Sequence, residues 1–216
     1  HQRHHCGPER GNQSRKIVSA RLQKVVMASG NAGKIRELAR LLDGLGVEVI
    51  PQAQLGVSDA DETGTTFAEN SLIKAQHAAD ATGLPAIADD SGLAVDALDG
   101  APGVYSARYA GDAGDDANND KVLAALEGIS DRGAAFHCVA TFVAPGEGEP
   151  LVASGEWRGS ILHERQGDGG FGYDPLFLVP DCDCSSAELA PDEKNSRSHR
   201  GQALRKLVEL ITQKYA

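Results

Sequence analysis

The 216-residue sequence predicts an α/β fold built on a mixed sheet. Three features carry that expectation. Short apolar runs alternate with segments of helical periodicity in the first half, which implies parallel strands joined by helices. Two longer runs then face each other across the turn PGEGEP, which implies an antiparallel hairpin. An amphipathic helix closes the chain.

The first strand is expected at 25–28 (VVMA). A helix follows, with Ile35, Leu38, Ala39 and Leu42 on one face, and Gly44 ends it. Residues 47–50 read as a strand closed by Pro51. Thr66-Phe67-Ala68-Glu69 fits a capping box, opening a helix with Phe67, Leu72, Ala75 and Ala79 on its apolar face. A short strand at 85–88 runs into Asp89-Asp90-Ser91-Gly92, and a helix is expected at 118–127. The Gly-, Asp- and Asn-rich stretch 111–119 lacks calcium-loop spacing and reads as a solvated loop. Strands at 134–144 and 151–162 form the hairpin, and the last helix, from about 198 to 213, is apolar at Leu204, Leu207, Val208 and Ile211.

A hydrophobic fraction of 41% can bury a sizeable core. No apolar run has the length of a membrane span and no signal peptide is recognisable, so a cytoplasmic location and no membrane partner are expected. Cys182 and Cys184 are expected to be reduced thiols rather than metal ligands. Residues 1–22 lack apolar periodicity and are set apart as a disordered or artificially appended extension, leaving 23–216 as the catalytic domain. Residues 1–24 carry a net charge of +5 within a total of −10, so the remainder stands at −15. Such an acidic body excludes nonspecific nucleic-acid binding. Against it, 194–206 holds five basic residues and no acid.

SGNAGK (29–34) joins a strand to a helix start and could cradle an anion on free N–H groups and the helix dipole. It is not a Walker A loop, because the distal glycine and the hydroxyl after lysine are absent. Asp89-Asp90-Ser91-Gly92 stands at a strand end, where α/β sheets place ligands. Adjacent side chains of an extended segment point to opposite faces, so one acid can serve a site while the other braces it. Glu62 is a second candidate acid, and one carboxylate from each segment would suit magnesium beside substrate phosphates. The glycines of GDGGFG (167–172) permit close approach of something flat, with Phe171 and Tyr173 offering rings and Asp174 an acceptor. His199 and Arg200 begin a helix, where cations oppose the dipole unless a ligand completes the arrangement.

These segments resemble the inosine triphosphate pyrophosphatase (Ham1) family, in SGNAGK, ETGTTFAENSLIKA, PAIADDSGLAVDALDGAPGVYSARYAG, GGFGYDPLF and EKNSRSHRGQAL. The resemblance runs from Leu22 to Leu210, and Ser29 stands where the family more often has Thr. It implies a two-lobed fold around a long mixed sheet, a nucleotide cleft between the lobes, a homodimer, and magnesium-dependent hydrolysis of dITP, ITP or XTP to the monophosphate and pyrophosphate. By the same resemblance Ser29, Gly30, Asn31, Ala32, Gly33 and Lys34 hold the triphosphate, with Lys74 and Lys194 adding charge. Glu62 and Asp90 bind magnesium, and Asp90 accepts the proton of the attacking water. Ser91, Phe171, Gly172, Tyr173, Asp174, His199 and Arg200 line the nucleoside site. Two other readings stand at this point: a Maf-like pyrophosphatase of pyrimidine or modified nucleotides, and a non-catalytic purine-nucleotide sensor.

Overall fold

The computed structural model describes residues 22–215. The extension expected over residues 1–22 lies outside them, except for Leu22, which is buried in the core. Strand β1 (Lys24–Met27) leads into helix α1 (Ala32–Asp43), followed by β2 (Glu48–Pro51). Helix α2 (Phe67–Thr82) precedes β3 (Ala86–Val95), and α3 spans Asp115–Ala125. The hairpin is β4 (Gly133–Val143) and β5 (Leu151–Ile161), followed by the short β6 (Phe177–Leu178). Helices α4 (Pro191–Arg197) and α5 (His199–Lys214) close the fold.

Six strands form one sheet in the order β2-β1-β3-β4-β5-β6. Strand β1 pairs parallel with β2 and β3, and every pairing from β3 onward is antiparallel, so the sheet is mixed as expected. Two residues are too few to show a period, which is why β6 escapes sequence reading.

Three expectations about the strands and helices need correction. Strand β3 does not stop before Asp89: it runs in register with β4 from Ala86↔Val143 to Val95↔Ala134. The two acids are therefore mid-strand, tolerated because the backbone pairs normally while their side chains leave on opposite faces. Helix α3 begins at Asp115, inside the stretch expected to be a loop, with Asp115 and Asp116 complementing the dipole in its first turn. Leu72 is 39% exposed, and α2 instead packs through the small residues Ala75, Ala78 and Ala79. Its cap is real: Thr66 accepts from the Glu69 N–H, though Glu69 reaches back to the Thr65 N–H at 2.7 Å.

Cys182 and Cys184 are joined by a disulfide, not held as separate thiols. A tight turn closed by the Val179 N–H on the Cys184 carbonyl, at 2.9 Å, brings them together.

Besides the cluster that packs α2 against the sheet, the long strands pass through two cores. At one end Met27, Leu38, Ile87, Phe142, Leu204 and Leu207 pack together; at the other, Leu93, Phe136, Trp157, Leu176 and Phe177 do so. On β3 the change from one core to the other falls across Asp89–Gly92. These are the two lobes, and the polar break between them is where a cleft can open.

Helix α5 lies directly on β5 because Gly155 has no side chain. A Cβ there would stand 2.1 Å from the His199 carbonyl oxygen and 2.8 Å from Gln202 Cβ. Gly155→Ala should therefore cost about 1–3 kcal/mol, the usual range for overpacking. Gly44→Ala, whose Cβ would meet nothing within 4 Å, should stay within about 0.5 kcal/mol of the parent. Urea unfolding measures both, and equal midpoints would refute the close contact of α5 with the sheet.

Candidate active site

Parallel pairing of β1 with β3 places the SGNAGK turn beside the acids. The Ala28 N–H donates to the Ile87 carbonyl at 2.9 Å, so the chain leaves β1 level with Ala88 and Asp89. The turn is braced from within: Ser29 Oγ accepts from the Asn31 N–H at 3.0 Å, and Asn31 Oδ1 accepts from the Lys34 N–H at 3.1 Å, capping α1. Asn31, Gly33 and Lys34 face a cavity of about 790 Å³. Ser29 and Gly30 line a second, of about 590 Å³, which shares Glu62, Lys74 and Arg108 with the first. Ala32 begins α1 and lines neither cavity.

Asp89 points toward α1 and α5. It is 2% exposed; Lys34 Nζ donates to its Oδ1 at 2.9 Å and Arg200 Nε to its Oδ2 at 3.3 Å. Burial alone would raise its pKa, but the Lys34 and Arg200 charges outweigh burial and hold the carboxyl well below the usual range. Asp90 points toward α2, where Lys74 Nζ lies 3.6 Å from it and 2.8 Å from Glu62. Burial raises the Asp90 pKa, opposed by Lys74 and assisted by the Glu62 charge. Lys74 is thus no surface lysine: burial disfavours its charge, but Glu62 and Asp90 prevail and raise its pKa.

Asp90 Oδ2 is buried with no hydrogen-bond partner. An orphaned acceptor beside a second carboxylate is a position a hard cation could occupy. No group of three or more His, Cys, Asp or Glu that could hold a metal exists among the described residues. A cation here would take its remaining ligands from water or substrate, a pattern that fits magnesium.

The other end of the large cavity is built by the GGFGYD loop. Phe171 is 52% exposed, with Lys194 Nζ at 4.7 Å and Arg200 Cζ at 5.1 Å from its ring centre. Asp174 organises the loop: it accepts from the Phe171 N–H at 2.9 Å and Ser186 Oγ at 3.0 Å, and pairs with Lys194. Gly170, at φ 69°, is required there, since a Cβ would lie 2.2 Å from Asp174 Oδ2. Tyr173 is buried and donates its hydroxyl to the Ser106 carbonyl at 2.6 Å, so it forms wall rather than an open face. Ser91 and Gly172 also line this cavity.

His199 is buried, stacked on Phe136 at 4.8 Å, with Nδ1 unpartnered. Burial, aided by the Arg200 and Lys194 charges, pulls its pKa well below the ordinary value. The imidazole is neutral, so the expected conflict with the α5 dipole does not arise there. At Arg200 the conflict is met by Asp89.

All the residues to which the family resemblance gives a role, Ala32 apart, therefore line one of two cavities that share Glu62, Lys74 and Arg108, while Asp89 is buried behind them. Missed were Glu37, Arg108, Asp115 and Ser186, among others lining the large cavity. Glu37 is buried three residues after Lys34 on α1, and burial raises its pKa against the Arg200 and Arg40 charges. Its i+3 spacing from Lys34 could have flagged it.

Comparison with known proteins agrees with this geometry. A profile of the Ham1 family matches residues 25–210. Over 194 residues, 88% of this chain and 98% of the relative, the sequence is 55% identical to a dITP/XTP pyrophosphatase of Pectobacterium atrosepticum. It is 55% identical over the same span to one of Escherichia coli O157:H7. The solved HAM1 protein of Coxiella burnetii superposes with a TM-score of 0.85 at 49% identity, covering 89% of this chain and all of that one. A dITP/XTP pyrophosphatase of Mycobacterium abscessus gives a TM-score of 0.70 at 45% identity, covering 87% and 98%. With the profile spanning every strand but the first residue of β1, and relatives over half identical across nearly their whole length, the chain belongs to the Ham1 family.

Proposed function

We propose that the protein hydrolyses noncanonical purine nucleoside triphosphates, among them dITP, ITP and XTP, to the monophosphate and pyrophosphate, and so clears them from the nucleotide pool. One observation carries the reading: a single cavity joins an exposed aromatic platform, Phe171, to a phosphate-suited end with Lys34, Lys74, Glu62 and Asp90. The names of the relatives point to the same substrates.

The purine lies on Phe171 beside Arg200, and the triphosphate extends toward the SGNAGK turn, Lys34 and Lys74. Lys194, at the platform edge, adds positive charge toward the phosphates. Asp90 accepts the proton of a water attacking the α-phosphorus, pyrophosphate leaves in line, and positioning supplies much of the acceleration. Magnesium, held by Glu62 and Asp90, would supply charge neutralisation at the phosphoryl oxygens. Arg200 donates to the purine 6-keto oxygen, whereas the 6-amino group of adenine would meet it donor to donor. The family resemblance adds a homodimer working in the cytoplasm on soluble nucleotides. Among the described residues no helix is long and apolar enough to cross a membrane.

Pyrophosphate release from ITP, XTP, GTP, ATP and dTTP, with and without magnesium, tests the whole reading. Fastest release from ITP or XTP is expected, and preference for dTTP would overturn it. Asp90→Asn keeps the shape but removes the proton acceptor, so turnover should fall by about 10²–10⁴ while ITP binding weakens far less. Turnover within a few-fold of the parent would remove Asp90 from the mechanism.

Arg200→Ala deletes a charge-assisted hydrogen bond worth about 1.5–3 kcal/mol. ITP efficiency should drop by about ten- to a hundredfold, with ATP efficiency little changed. Because the substitution also takes a cation from Asp89, the ITP-to-ATP ratio is the readout rather than either rate. An unchanged ratio would move base reading away from Arg200.

A further inference from the structure

The platform ring is exposed, yet its backbone is fastened from behind. Both peptide groups of Gly172, which follows Phe171, are held by the first turns of α3: its N–H donates to Asp115 Oδ2 at 3.0 Å, and its carbonyl accepts from Asn119 Nδ2 at 2.9 Å. The same Asn119 amide donates to the Asp115 carbonyl at 2.7 Å, locking the clamp to its own helix. Asn119 is buried, 2% exposed, with no contact to the cavity. The start of the loop is tied to α3 as well, through Arg165 to the Asp116 carbonyl at 2.7 Å and the Asp120 carboxylate at 2.9 Å. Gly172 sits at φ 59°, a left-handed conformation open to glycine without steric cost, and ordering so free a residue is what the bonds from α3 accomplish. One position earlier, Asn118 binds the Ala110 N–H at 2.7 Å and the Ala107 carbonyl at 3.1 Å, fixing the segment that carries Arg108 into the cavity.

We infer that Asn119 and Asp115 are positioning residues for base recognition, clamping Gly172 so that the Phe171 ring is presented to the purine. The inference rests on the stacking role proposed for Phe171. A ring on an untethered glycine loop would have to be ordered by each incoming nucleotide, at the expense of affinity. The phosphate end, carried by α1, α2 and β3, shares no bond with the Asp115–Asn119 clamp on Gly172; α3 reaches toward it only through Asn118 and the segment of Arg108. The clamp therefore affects the grip on the base and not on the phosphates.

That separation gives the test, with ITP as substrate and inorganic tripolyphosphate as a competitive inhibitor that lacks a base. Asn119→Ala should raise KM for ITP by about five- to twentyfold, leave kcat within about threefold and leave tripolyphosphate inhibition within about twofold. Asp115→Ala, at an exposed position where folding is not at stake, should raise KM by about threefold or more. Asp115→Asn, which keeps an acceptor for the Gly172 N–H, should restore the parent value. Phe171→Ala is the reference and should raise KM for ITP at least as much as Asn119→Ala. If Phe171→Ala raises KM while the Asn119 and Asp115 variants do not, the clamp is refuted and the stacking reading survives. If Phe171→Ala leaves KM unchanged, stacking itself falls and takes the clamp with it. A parallel rise in KM and in the tripolyphosphate inhibition constant would show a general structural role and overturn the inference.

Discussion

The buried carboxylate of Asp89 is the constraint on which the site depends. A lone carboxylate inside a protein costs several kcal/mol unless it is paired and hydrogen-bonded. Here the partners come from two helices, Lys34 on α1 and Arg200 on α5, both reaching the same residue of β3. The two helices are therefore docked at one point of the sheet, with the SGNAGK turn at the head of α1 and the basic start of α5 side by side. The folded pKa of Asp89 lies below its unfolded value, so this stabilisation is fully present above about pH 4 and fades as pH falls through the folded value.

The neighbouring acid has the opposite fate, and strand alternation is the cause. Asp90 faces α2, where burial raises its pKa and Lys74 only partly compensates. Two adjacent aspartates thus diverge, one held low by Lys34 and Arg200 and one pushed up by burial. Such divergence is how a pair of like groups acquires separate roles. The second face also supplies Glu62 through Lys74, so the cation-suited corner and the candidate base coincide.

Much of this was legible in the sequence. Periodicity located β1, α1, α2, the hairpin and α5, because each is long or capped enough to show its period. The motifs located both ends of the cavity, since glycine, lysine and adjacent acids are rare enough in combination to stand out. Harder to read were residues whose importance lies in what they touch across the fold. Asn119 is one of two adjacent amides on a polar helix, and only the packing of α3 against the loop distinguishes it from solvent-facing neighbours. Strand β3 appeared to end early because two acids in succession suggest a turn; nothing local reveals that each has a countercharge on a different helix. His199 looked cationic, and only its burial against Phe136 shows it neutral.

Counting charges on the two sides of β3 explains why one cavity can attract both an anion and a cation. Toward α1 and α5, Asp89 faces Lys34 and Arg200, and Glu37 lies against Arg200 and Arg40, so three cations share two carboxylates and the wall is positive. A charged His199 would have loaded this side further, and its neutrality keeps the excess small. Toward α2, Lys74 faces Glu62 and Asp90, so two carboxylates share one cation and the wall is negative. At the platform, Asp174 pairs with Lys194, and the ring of Phe171 is faced by both Lys194 and Arg200. Bare triphosphate would satisfy only the first wall and a bare divalent cation only the second. A cation chelated by phosphate satisfies both at once, and a base able to accept from Arg200 satisfies the remaining donor. The substrate form proposed above is the one that leaves neither wall uncompensated.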